Sequence, residues 1–232
     1  MTSNTLKVQI TLYRDNKYYE VEYIYNKKNP EERPMVLDVL LQAQEEKIDD
    51  LSFRYGCRAR NCCVCTVDIN GKPRLACRAR VKDGDLISPL ATLPVIKDLV
   101  VKRDNISRQL IGFNNISNKN NLNVEADKSY HKLTACIECY ACLDKCPLHQ
   151  LNNLKESKNR MSFKHGNPFS FLKLQRKYID PLTPDTEKKS LINKAIDLGL
   201  EVCKTCPGCK CGVGINLKDD VILPLLKNSF NN

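Results

Sequence analysis

The sequence predicts an α+β protein with strands first and helices after, and three observations carry that prediction. Residues 7–13 and 18–25 alternate apolar with polar positions. Residues 167–200 repeat apolar positions at helical spacing instead. Between the two patterns, the asparagine-rich run FNNISNKNNLNVEADK at 113–128 has little apolar periodicity and reads as a linker or surface loop.

In KVQITLY, Val8, Ile10 and Leu12 share one face. Across the short polar turn at 14–17, Tyr19, Val21, Tyr23 and Tyr25 share one face of a second strand, which completes a β-hairpin. MVLDVLLQAQEEK (35–47) follows Pro34 and spaces Val36, Leu37, Leu40 and Leu41 as an amphipathic helix. TVDINGKPRLAC (66–77) contains Asn70-Gly71, a type I′ hairpin signal, and more strand follows at 85–88. In the second half, NPFSFLKLQRKYI puts Phe169, Leu172 and Ile179 on one helical face. PDTEKKSLINKAIDLGLE offers Leu191, Ile192, Ala195 and Ile196, with Gly199 placed as a C-cap.

A chain of 232 residues suffices for two domains. No charged segment followed by an apolar one opens it, and no apolar run approaches the roughly 18 residues of a membrane span. The expectation is a soluble, cytoplasmic protein without a transmembrane segment. In a reducing compartment, cysteines grouped as C-x2-C are metal ligands rather than disulfides, and the odd count of 13 argues against full pairing. The N-x-S patterns at Asn105 and Asn115 carry no meaning for such a protein.

The cysteines fall into three sets. CRARNCCVC followed by LAC gives Cys57, Cys62, Cys65 and Cys77 the C-x4-C-x2-C…C spacing of plant-type [2Fe–2S] ferredoxins. Cys63, adjacent to Cys62, is expected not to be a ligand. CIECYACLDKCP gives Cys136, Cys139, Cys142 and Cys146 the bacterial-ferredoxin run, whose fourth cysteine serves the other cluster when there are two. Two clusters then require four more thiolates. CKTCPGCKC supplies Cys203, Cys206, Cys209 and Cys211, and the single residue between the last two aims them apart. The expected ligand sets are Cys136, Cys139, Cys142 and Cys211 for a [4Fe–4S] cluster, and Cys146, Cys203, Cys206 and Cys209 for a second [4Fe–4S] or a [3Fe–4S] cluster. The choice between Cys209 and Cys211 stays open. The competing reading is zinc held by Cys136, Cys139, Cys203 and Cys206. With the cysteines closing three sites, His131, His149 and His165 read as surface residues. No Ser/His/Asp set, paired carboxylates or phosphate loop is recognisable, so no catalytic residue and no nucleotide-type cofactor site is expected.

The formal charge of +10 suggests nucleic acid, yet it counts every thiol as neutral. Three oxidised clusters of about −2 each on twelve thiolates bring the holo-protein to roughly +4. The lysines are scattered through both halves, and no nucleic-acid partner is expected.

On these motifs the chain resembles the iron–sulfur subunits of succinate dehydrogenase and fumarate reductase. The stretch LSFRYGCRARNCCVCTVDINGKPRLAC is similar to that family's [2Fe–2S] loop. LPVIKDLVVKRD is similar to the segment closing its first domain, and CIECYACLDKCP with the cysteine group before GIN completes the order. The resemblance implies a β-grasp [2Fe–2S] ferredoxin-type domain at 1–103 and an α-helical domain with two cubane-type clusters at 104–232. It implies an electron-transfer subunit of an oxidoreductase that passes single electrons from the FAD of a partner flavoprotein, with no catalytic site of its own. The far partner would be a membrane-anchor subunit with quinone, which would make the chain peripheral on the inner face of the membrane, or a cysteine-rich thiol/disulfide subunit as in methanogen fumarate reductases. A freestanding ferredoxin-like carrier and a zinc-binding module are the readings from other classes. The chain departs from the family in several places: Arg60 and Cys63 stand where glycines are usual, Gly212 follows the last cysteine in place of proline, Lys204 replaces a histidine, and there is no tryptophan.

Overall fold

The computed structural model describes residues 4–103, 106–113, 124–152 and 164–229. Both Asn105 and Asn115, and the middle of the asparagine-rich run, lie outside them. The chain divides into two compact units, Met1–Arg103 and Asp104–Asn232.

In the first unit, β1 (Thr5–Arg14) and β2 (Lys17–Asn26) form an antiparallel hairpin, with Arg14 paired to Lys17. The two-residue turn needs left-handed backbone at both positions, and Asp15 and Asn16 supply it with φ of 51° and 59°. Helix α1 (Val36–Glu46) buries Val36, Leu37, Val39, Leu40 and Ala43. Strands β3 (Thr66–Ile69) and β4 (Lys72–Leu75) turn at Asn70-Gly71, φ 50° and 69°. Strand β5 (Asp85–Ser88) pairs parallel with β1 and antiparallel with β3, which gives a mixed sheet of order β2-β1-β5-β3-β4. This β-grasp arrangement follows from the pattern: the inward Val8, Ile10, Tyr23, Tyr25, Val67 and Ile87 need a cover, and the apolar stripe of α1 is the element that provides it. Tyr19 lies beyond the covered part of β2 and is exposed. A small ribbon of β6 (Val95–Lys97) and β7 (Val100–Val101), turning through the buried Asp98, was not legible in the sequence.

The second unit is helical: α2 (Lys128–Thr134), α3 (Pro147–Gln150), α4 (Pro168–Tyr178), α5 (Asp185–Asp197) and α6 (Leu223–Ser229), with a π-helical turn at Lys218–Ile222. Helix α4 starts on a buried reciprocal cap, in which the Asn167 side chain accepts from Ser170 N at 3.0 Å and Ser170 Oγ accepts from Asn167 N at 2.9 Å. Gly199, φ 89°, lets the chain leave α5. The core gathers Phe171, Leu172, Leu191, Ile192, Ala195 and Leu225 with the cysteines at its margin. Ile196 departs from the sequence reading, because it points away from this core and is 38% exposed.

Candidate metal centres

The first cysteine set lies in the loop between Leu51 and β3, with Cys77 just past β4. Its backbone alternates in hand, with Arg58, Arg60 and Cys63 at φ of 52°, 64° and 54°. Such alternation turns successive amides inward and makes an anion cradle. The amides of Ala59, Asn61 and Cys62 all donate to Cys57 Sγ, at 3.3, 3.2 and 3.2 Å. These donors, Ala59 foremost, draw the Cys57 thiol down to about 6, so a thiolate is favoured at a solvent-exposed position. Cys57 N in turn donates to Cys62 Sγ at 3.4 Å. Cys65 and Cys77 are buried, and burial pushes Cys65 up to about 11 while the Cys77 amide works against it. Hydrogen bonds therefore link Cys57 with Cys62 and Cys65 with Cys77, and Cys62 is in electrostatic reach of Cys65. The loop is tied to the sheet through Ala76 N, which donates to Cys65 O, and to α1 through Leu37 N, which donates to Ala76 O.

Cys63 meets Arg103, which lies outside the motif. Its carbonyl accepts from Thr66 Oγ1 and from Arg103 Nη1, and its sulfur faces Arg103 Nη2. Arg60 and Cys63 hold the left-handed backbone that glycine would adopt freely, at a cost of about 1–2 kcal/mol each.

In the second unit, burial holds the Cys142 thiol well above the ordinary thiol range. Its neighbours in electrostatic reach are Cys139, Cys136, Cys211 and Cys209, in falling order of effect. Gly212 brings the chain end against this group, since a β-carbon there would stand 3.2 Å from Cys139 Sγ and 3.3 Å from Ala141 Cβ. Glu138, Tyr140 and Lys145 take φ of 56°, 60° and 55°, so the Cys136–Cys146 run reverses hand three times. The Glu138 amide bonds the Cys136 sulfur, and Lys173 lies near it, paired with Glu138.

Cys146, Cys203, Cys206 and Cys209 line one hollow with Phe171 and Ile222, about 270 Å³ of empty space partly open to solvent. Burial raises Cys203 to about 11 and Cys209 to about 12, while the Lys218 charge opposes both. Burial also raises Cys146, against amides of His149 and Leu148 that bond its sulfur. His149 is thus a correction to the sequence reading. It is buried, because α3 folds over Cys146, whereas His131 is exposed and His165 half-buried.

None of the 13 cysteines is joined to another by a disulfide. Among the described residues no three His, Cys, Asp or Glu side chains close round a single metal ion. A donor set made of thiols alone, amides aimed at sulfur and an apolar surround suit soft, multinuclear thiolate centres. Spacing alone did not reveal Arg103, Lys173, Gly212 or Lys218, which act on these groups from outside the motifs.

Residues 7–108 match the family described as 2Fe-2S iron-sulfur cluster binding domain. The chain is 32% identical over 198 residues to a component of the fumarate reductase (CoM/CoB) of Methanothermobacter marburgensis, covering 82% of this chain and 37% of that protein. It is 28% identical over 166 residues to the fumarate reductase iron-sulfur subunit of Escherichia coli, covering 63% and 65%. The chain spans 31 to 39% of the length of the first curated relatives it matches. Its fold matches a chain in the structure of the Mycobacterium smegmatis Sdh1 complex in the apo form, with a TM-score of 0.81 at 21% identity over 99% of this chain and 97% of that one. No helix among the described residues is long and apolar enough to cross a membrane.

Proposed function

We propose that this chain is an iron–sulfur subunit of the succinate dehydrogenase and fumarate reductase kind and the electron wire of such a complex, running from a flavoprotein's FAD through three thiolate-held centres. The match of residues 7–108 to a 2Fe-2S cluster binding domain and the likeness to fumarate reductase components support this reading. The ligand sets are Cys57, Cys62, Cys65 and Cys77 for [2Fe–2S]; Cys136, Cys139, Cys142 and Cys211 for [4Fe–4S]; and Cys146, Cys203, Cys206 and Cys209 for a second [4Fe–4S]. The observation that carries this reading is the hollow lined by Cys146 from one motif and Cys203, Cys206 and Cys209 from another, with Cys211 left in reach of Cys142. The domains would run 1–103 and 104–232, one centre in the first and two in the second.

When bound, such centres accept and release one electron each without bond rearrangement. The work of this chain is to hold them. Amides of Ala59, Asn61 and Cys62 offset negative charge on the Cys57 sulfur, and amides of Leu148 and His149 do the same at Cys146. Apolar residues such as Phe171 and Ile222 cover one side of the third set. No residue here is assigned to dicarboxylate chemistry, which belongs to the flavoprotein.

Two electron partners suit the far end. The Methanothermobacter relative is named for CoM and CoB, and this favours a thiol/disulfide subunit over a quinone-binding membrane anchor. Purification of the native complex decides it. A cysteine-rich partner with activity toward a heterodisulfide supports the thiol reading, and a membrane anchor with quinone reduction replaces it.

A further inference from the structure

Lys173 and Lys218 both act electrostatically on cysteines of the second unit, and their surroundings differ. Lys173 is paired with the Glu138 carboxylate and lies over the Phe169 ring at 5.2 Å, so its charge is answered locally. Lys218 donates its ammonium to two main-chain carbonyls, Cys203 O at 2.6 Å and Cys206 O at 3.0 Å. Neutral carbonyls fix a cation in place without cancelling its charge. Neither carboxylate of the same turn is ion-paired with Lys218: Asp219 accepts from Asn216 Nδ2 at 2.6 Å, which leaves its own charge in place, and Asp220 pairs with Lys132 at 3.5 Å.

We propose that Lys218 is a fixed positive charge that raises the reduction potential at the Cys146, Cys203, Cys206 and Cys209 site above that at the Cys136, Cys139, Cys142 and Cys211 site, and so directs electrons toward the former. The proposal rests on the ligand sets given above. An added electron makes a thiolate-held centre more negative, and a half-buried ammonium held against the main chain of two of its ligands stabilises that state more than an ion pair of near-zero net charge does. The step moves one electron from one centre to the other, and no bond or proton changes hands. Lys218 is a tuning residue and touches no substrate.

In the anaerobically purified complex, Lys218→Gln keeps an amide donor for the two carbonyls and removes the charge, whereas Lys218→Arg keeps the charge. Mediated potentiometric titration read by EPR gives the midpoint of each centre. The expected result for Lys218→Gln is a lower midpoint for the third centre alone, about tenfold in its one-electron equilibrium, or 59 mV. Lys218→Arg returns to the unaltered value. An unmoved midpoint in Lys218→Gln, or equal shifts in both variants, overturns the proposal. Loss of the third signal in Lys218→Gln would make Lys218 a clamp on the loop and overturn it as well. Failure of the ligand sets is recognised separately, because the third signal is then absent from the unaltered protein.

Discussion

Arg103 holds Cys63 by both ends of its guanidinium, with Nη1 donating to the Cys63 carbonyl at 3.1 Å and Nη2 directed to its sulfur at 3.7 Å. The residue that interrupts the first cysteine motif is thereby turned toward the end of the first unit while Cys62 and Cys65 on either side keep their spacing. Replacing Cys63 with serine or glycine is expected to leave the [2Fe–2S] EPR signal and visible absorbance intact. Because Cys63 sits at φ 54°, Cys63→Gly should also raise thermal stability, by up to about 1 kcal/mol. Loss of the signal in Cys63→Ser, with Cys62→Ser keeping it, would move the loop register by one residue.

Gly212 gives a test of the second set. A β-carbon there would crowd Cys139 Sγ at 3.2 Å and Ala141 Cβ at 3.3 Å. Gly212→Ala should therefore weaken the centre of Cys136, Cys139, Cys142 and Cys211, seen as faster loss of its EPR signal on exposure to a chelator, with the [2Fe–2S] signal unaffected. Equal loss rates in the variant and the parent would separate Gly212 from that centre.

Most of the first unit was legible because its signals are local. Alternation in β1 and β2, the stripe of α1 and the turn residues Asn70-Gly71 each point to one conformation. The ribbon at Val95–Lys97 and Val100–Val101 was not legible, since strands of three and two residues carry no period and Asp98, which turns it, is held by partners distant in sequence, Arg14 and Ser52. In the second unit, α4 and α5 were readable from apolar spacing, whereas α3 and the π-helical turn serve the cysteine groups and follow no amphipathic repeat. The cysteine motifs were visible as spacing. The hands of Arg58, Arg60 and Cys63, the burial of His149 and the placement of Lys218 depend on tertiary contacts that a spacing cannot encode.

The second unit also contains a close approach at Gly166, outside the cysteines. Gly166 N donates to Leu198 O at 2.7 Å, and a β-carbon on Gly166 would stand 2.7 Å from Phe171 Cζ and 3.0 Å from Leu198 Cβ. Gly166→Ala should cost about 1–3 kcal/mol of stability, as overpacking does. Adding Phe171→Leu, which removes the crowded ring edge, should recover part of what the first change loses. Thermal unfolding by circular dichroism reads both, and a Gly166→Ala protein as stable as its parent would contradict the packing described here.

Cys206 should decide the composition of the third centre. A cubane keeps its fourth iron only while a fourth ligand holds it, and Cys206 lines the same hollow as Cys146, Cys203 and Cys209. Cys206→Val is expected to give an oxidised [3Fe–4S] signal with a higher potential, against [4Fe–4S] in the parent. A parent that already shows a stoichiometric [3Fe–4S] signal when purified without oxygen would remove Cys206 from the ligand set.

The central claim, that twelve of the 13 cysteines hold three iron–sulfur centres, is tested most directly by iron and acid-labile sulfide analysis of the anaerobically purified complex, with zinc measured in the same sample. Centres of two, four and four irons predict about ten irons per chain, a matching amount of sulfide and no stoichiometric zinc. Stoichiometric zinc without sulfide, or iron that stops at two per chain, would contradict it.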